Sequence, residues 1–172
     1  MTKDQIILAL AELNKELKKQ NVHGEICIMG GAVMCLVFNS RESTQDIDAI
    51  MAPTEIIQKA AFNVSQTLNL ENNFWINDAV KVFESDYSQF LDSKFSYSHL
   101  NVLTASPEYM FAMKSLAARS GTNDEDDLIF LKNYLKLTKL DQAMRIINKF
   151  YPEQKLNISS QALLKDLFNS KI

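Results

Sequence analysis

The sequence predicts an α/β chain of the α+β type, with a small sheet and helices over residues 1–105 and a helical C-terminal region over 106–172. Three observations carry this expectation. A short run of strand-formers, Glu25-Ile26-Cys27-Ile28-Met29, passes straight into Gly30-Gly31 and a helical stretch, Ala32 to Phe38. A second such run, Asp46 to Met51, follows a polar turn from Asn39 to Gln45. From Ser106 onward helices dominate, with short breaks between them.

The remaining elements follow in order. Ile6, Ile7, Leu10, Leu13 and Leu17 recur at helical spacing and give a first helix that ends near Gln20. Pro53 and Thr54 open another helix, carrying Ile56, Ile57, Ala60, Ala61, Val64 and Leu68. Trp75 to Val80 reads as the start of a short helix, and Tyr97 to Thr104 alternates enough for a third strand. Ser106 is suited to cap a helix, Pro107 to its first position, and Glu108 to its first turn; this helix should reach about Arg119. Gly121-Thr122-Asn123 is a break, and Asp124 to about Leu137 is the next helix. Thr138-Lys139-Leu140-Asp141 marks another start, Pro152 a stop, and Ser159 to Phe168 a last short helix. The two regions are expected to pack as a single compact unit.

Composition narrows the function without naming it. A chain of 172 residues with 47% hydrophobic and 23% charged residues can build a real core. A net charge of -3 offers no global basic field for a nucleic-acid backbone. The first twenty residues read as an amphipathic helix with charges of both signs, so no signal peptide is expected, and no apolar run is long enough to span a bilayer. Cys27 and Cys35 lie in apolar segments without any metal-binding spacing, which fits core packing in a reducing, cytoplasmic compartment. His23 and His99 stand alone in the sequence and support no metal triad.

The informative stretch is MGGAVMCLVFNSRESTQDIDAIM. Residues two apart in a strand share a face, so Asp46 and Asp48 project together while Ile47 and Ala49 face the other way. Two carboxylates so placed repel unless a cation lies between them. A hard divalent ion, Mg²⁺ above all, suits that pair and commonly takes phosphate oxygens as well. Gly30-Gly31, between a strand and a helix start, lets backbone approach a phosphate closely, and helix amides add a favourable dipole.

In this order and spacing these features resemble the signature of the nucleotidyltransferase superfamily: a strand, Gly-Gly opening a helix, then a strand with Asp-x-Asp. Gly31 and Asp46 are fifteen positions apart, somewhat long but compatible. Arg41-Glu42-Ser43-Thr44-Gln45-Asp46-Ile47-Asp48 is similar to the Arg-x-(Ser/Thr)-x-Asp-x-Asp version of the minimal, AbiEii-like branch, which includes uncharacterised proteins and some toxins. Ser106 to Lys114, then Ala117-Ala118-Arg119, then Asp124-Glu125-Asp126-Asp127-Leu128 resemble that branch's later motif. Trp75-Ile76-Asn77-Asp78 resembles its Trp-(Leu/Ile)-Asn-Asp element. The resemblance covers roughly residues 20 to 137.

It implies a small mixed nucleotidyltransferase-type sheet in which Asp46 and Asp48 hold Mg²⁺ or Mn²⁺ and Gly30 and Gly31 contact a nucleoside triphosphate such as ATP. Ser43 or Thr44 would bond a phosphate oxygen, Arg41 would neutralise charge nearby, and Lys114 would stabilise the phosphates. Asp124 and Asp127 would belong to the nucleotide site. The implied reaction is transfer of a nucleoside monophosphate to an unknown acceptor, which is a protein, an RNA or a small molecule.

One departure stands out. An active two-metal site adds a third carboxylate from a neighbouring strand, yet Tyr97 to Thr104 holds no acid and Asn101 stands where one is expected. Asp78, Asp124 or Asp127 would have to supply it from elsewhere. Two alternatives therefore stay open: a catalytically degenerate module of a toxin–antitoxin or defence pair, with a partner encoded nearby, and an antibiotic nucleotidyltransferase. Plainer readings also stay open, with Asp124 serving only the helix dipole, Asp127 pairing with Arg119, and Lys114 an exposed helix lysine.

Overall fold

The computed structural model describes residues 1–78, 91–118 and 121–169. The chain divides into two compact units, Met1–Ala105 and Ser106–Ile172. The first unit begins with helix α1 (Lys3–Lys19), closed at its N-terminus by a capping box between Thr2 and Gln5. Strand β1 (Gly24–Met29) leads to a single-turn-and-a-half helix α2 (Gly31–Leu36), then strand β2 (Ile47–Ala52) and helix α3 (Thr54–Leu68). Strands β3 (Ile76–Asp78), β4 (Leu91–Ser96) and β5 (Leu100–Ala105) complete the unit.

The five strands form one sheet in the order β3-β2-β1-β5-β4. β1 runs antiparallel to β2 and parallel to β5; β2 is parallel to β3, and β4 antiparallel to β5. The sheet is thus mixed and flanked by helices, as the sequence predicts.

Strand alternation divides this sheet into two unlike faces. Ile26, Ile28, Ile47, Ala49, Met51, Ile76, Leu100 and Val102 fall on one face, and all are buried. A Cβ added to Gly24 on that face would meet Leu17 of α1 at 2.9 Å and Ile57 of α3 at 3.2 Å, so both helices cover it closely. Each fully buried aliphatic side chain there contributes about 1.5–3 kcal/mol. The other face carries the half-buried Asp48, Ile50, Asn77, Asn101 and Leu103 beside the buried Cys27 and Met29.

Two expectations need correction in this unit. Trp75 to Asp78 does not begin a helix: Ile76–Asp78 is a strand, while Ala79 and Val80 lie outside the described residues. The cause is tertiary. Trp75 is fully buried, its indole N–H donates to the Ala61 carbonyl at 2.9 Å, and its own carbonyl accepts from the Ile47 amide at 2.8 Å. Those bonds lay the chain beside β2. The alternation from Tyr97 to Thr104 likewise resolves into a turn and then β5, with β4 as its hairpin partner.

The second unit contains α4 (Pro107–Ala117), α5 (Asn123–Tyr134), α6 (Leu140–Phe150) and α7 (Ile158–Asn169). Ser106 caps α4 as expected, its hydroxyl accepting from the Tyr109 amide at 3.3 Å. α4 ends at Ala117, two residues before the expected Arg119, which lies outside the described residues. Among the described residues, no helix is long and apolar enough to cross a membrane.

Candidate active site

β1 ends at Met29, and the turn that follows dictates what comes near it. Gly30 adopts φ 68 and ψ -146, a conformation that is essentially glycine's alone. A Cβ there would also lie 2.8 Å from Asp48 Oδ2. The Asp48 carboxylate therefore rests directly against the Gly30 backbone. Met29 and Asp48 are register partners, so this contact lies on the half-open face of the sheet.

Gly31 plays the same part for a second pair of side chains. A Cβ at Gly31 would lie 2.8 Å from Thr44 Oγ1 and 3.2 Å from an Arg41 guanidinium nitrogen. The loop from 39 to 46 is brought back over the glycine turn by a series of bonds. Ser40 donates to the Met34 carbonyl from its amide at 3.0 Å, and the Cys35 thiol donates to the Glu42 carbonyl at 3.7 Å. The Thr44 amide donates to the Met1 carbonyl at 2.9 Å, and its hydroxyl to the Asp46 carbonyl at 3.1 Å.

Asp46 precedes β2 and is held from the other side. The Asn77 side-chain amide, on β3, donates to Asp46 Oδ2 at 2.7 Å. Asn77 is the register partner of Asp48, so both carboxylates and this carboxamide share one region of one face. Gly30, Gly31, Arg41, Thr44, Asp46 and Asp48 are thus brought together, while Ser43 is exposed and its backbone forms a bridge with Thr2.

Within this unit, neither Asp78 nor the Asn101 position supplies a third carboxylate at the site. Asp78 pairs in register with Ala49, on the opposite face from Asp48. Asn101 is not at the level of the site at all. It is the register partner of Glu25 and donates to Glu25 Oε2 at 2.8 Å, four positions along β1 from Met29 or roughly 13 Å away. Among the described residues, no group of three His, Cys, Asp or Glu is placed to hold a metal ion.

Lys114, Asp124 and Asp127 form a cluster of their own in the second unit. The Lys114 ammonium bonds Asp124, and it lies 3.0 Å from Asp127 Oδ2. Lys114 is only 8% exposed, so the exposed-lysine reading does not fit; Asp127 is 2% exposed, and its expected partner Arg119 lies outside the described residues. Both cysteines are buried, and burial pushes the Cys27 thiol up to about 12, as suits inert core residues. Sequence reasoning missed one contact: His23 and His99 stack, with ring centroids 4.5 Å apart. Desolvation, the neighbouring imidazole and Lys18 hold His99 below its ordinary value. The pair flanks the first residue of β1, whose amide bonds the His99 carbonyl, far from Asp48.

A sheet of this topology, with an acid-bearing strand laid against a strand–glycine–helix turn, defines a nucleotidyltransferase-like α/β protein. The chain belongs to the family described as "Nucleotidyltransferase of unknown function (DUF6036)", whose model matches residues 5–164. No curated protein and no solved structure matches it significantly.

The glycine turn makes a sharp prediction. Gly30→Ala should cost about 1–3 kcal/mol of stability, because an L side chain is strained at this φ and must also displace the Asp48 carboxylate. Gly31→Ala should cost less, since Gly31 is helical and free of positive-φ strain, and only the Thr44 hydroxyl and the Arg41 guanidinium must give way. Urea denaturation of both variants checks this, and equal losses would show that Gly30 is not the constrained position.

Proposed function

We propose that this chain is a Mg²⁺-dependent nucleotidyltransferase that moves a nucleoside monophosphate from a nucleoside triphosphate to a protein, RNA or small-molecule acceptor. The observation that carries this reading is the Asp48 carboxylate lying against the Gly30 backbone, with Asp46 beside it. Two oxygen-donor carboxylates suit Mg²⁺ or Mn²⁺, which completes its coordination with water and substrate phosphates. When bound, such an ion would neutralise phosphate charge and polarise the reacting phosphoryl group.

Asp46 and Asp48 would hold the ion. Arg41 and Thr44, facing Gly31, would hold the phosphate tail through guanidinium and hydroxyl donors. α2 has only six residues, so its dipole adds little, and these side chains carry most of the recognition. An acceptor oxygen would attack the α-phosphorus in line. The new P–O bond forms as the bond to the bridging β-phosphate oxygen breaks; pyrophosphate leaves with that electron pair, and the acceptor proton passes to solvent. Lys114, with two carboxylates around its ammonium, is assigned to holding α4 against α5 rather than to the phosphates. The cytoplasm, which supplies triphosphates and Mg²⁺, is the compartment this activity requires.

The test is titration of the purified protein with each of the four ribonucleoside triphosphates, in Mg²⁺ and in chelator. Mg²⁺-dependent binding that Asp46→Asn and Asp48→Asn both remove is the expected result. A second reading, the catalytically degenerate module acting with a protein partner, is favoured by the carboxamide of Asn77 at the level of Asp48 on the neighbouring strand. Absence of triphosphate binding in every condition would select it.

A further inference from the structure

We propose that Asn77 is a positioning residue that orients Asp46 toward the ion and restricts the site to a single divalent cation. This rests on the reading of Asp46 and Asp48 as metal ligands. Asn77 sits on β3 as the register partner of Asp48, and its Nδ2 lies 2.7 Å from Asp46 Oδ2. A carboxylate only accepts hydrogen bonds, so the nitrogen of the carboxamide, not its oxygen, must face Asp46. One oxygen of Asp46 is thereby fixed, and the rotamer of the side chain with it.

The same bond closes a flank. The NH₂ hydrogens present positive charge toward Asp46, on the side where a second cation would otherwise sit between Asp46 and β3. A carboxylate at this position would do the reverse, adding charge and a ligand. Asp78, the next residue, faces the other side of the sheet and does not compensate. Asn77 itself is rigidly presented. Trp75, two residues earlier, is fully buried and bonded to α3 through its indole, and the Trp75 carbonyl is bonded to the first residue of β2. The Trp75-Ile76-Asn77 segment thus anchors at one end and orients a metal ligand at the other. Bonds of this kind to a ligand typically govern metal affinity by 10- to 100-fold.

The experiment uses the full chain with Mn²⁺ alone, counting free ion by electron paramagnetic resonance. The wild type should bind one Mn²⁺ tightly, and Asp48→Asn should abolish that binding. Asn77→Ala should keep the stoichiometry at one and weaken binding by about 10- to 100-fold. Asn77→Ser, with a hydroxyl still able to donate, should fall between the two. Asn77→Asp, the isosteric change, should bind two Mn²⁺ per chain. It should also melt about 2–4 °C below the wild type in chelator, from carboxylate repulsion, and regain that loss in Mn²⁺. Wild-type affinity in Asn77→Ala, or one Mn²⁺ in Asn77→Asp, would overturn the proposal and leave the metal site standing. No Mn²⁺ binding sensitive to Asp48→Asn would overturn the metal site, and the proposal with it.

Discussion

Asp48→Asn should reduce Mg²⁺-dependent triphosphate binding by more than about 100-fold, because changes one shell further from a metal already cost 10- to 100-fold. The folded structure should be unaffected. Asp48 is half-buried on the open face of β2, and asparagine matches its shape while keeping an oxygen against the Gly30 turn. Asp78→Asn is the control: it removes the same charge one strand away but on the opposite face, and should leave triphosphate binding as it was. Calorimetric titration with ATP in Mg²⁺ reads both variants. Equal behaviour of Asp48→Asn and Asp78→Asn would mean that the carboxylate at Gly30 holds no ion.

The centre of this site was legible in the sequence because its information is local. Strand alternation puts Asp46 and Asp48 on one face, and two successive glycines between a strand and a helix announce a backbone conformation other residues avoid. The fold class was legible for the same reason, since α1, α3 and α4 to α7 announce themselves by helical spacing and caps. What escaped depends on chain brought together from afar. β3 is three residues long, too short to display a period, and exists because Trp75 and Ile76 are bonded to α3 and β2. Asn77 gains its role from a contact across 31 positions. The stacking of His23 on His99 follows from the parallel pairing of β1 with β5, which no local pattern encodes. The sequence alone places Asn101 where an acid is expected because it does not show strand neighbours; with β5 beside β1, Asn101 lies at the far end of β1 from the glycine turn.

The same distinction between local and tertiary information governs Lys114. Its place on a helix ten residues before Asp124 suggests a functional motif, yet its surroundings point to structure. Asp127 is 2% exposed, and its carboxylate has the Lys114 ammonium 3.0 Å away. Lys114→Met keeps the aliphatic volume and removes the ammonium that lies 3.0 Å from the buried Asp127 carboxylate. Removing one partner of such a pair costs about 3–5 kcal/mol, far above the median for surface pairs. Urea denaturation should show a loss of that size. Asp124→Asn should cost under about 1 kcal/mol, because Asp124 is roughly a third exposed and water screens it. Replacing both members, Lys114→Met with Asp127→Leu, should recover much of the loss, since both buried charges of the pair are removed and Asp124 stays partly solvated. Titration with ATP separates this from a role in phosphate binding: the doubly substituted chain should bind ATP as tightly as the wild type. Restored stability with ATP binding still lost would return Lys114 to the nucleotide site.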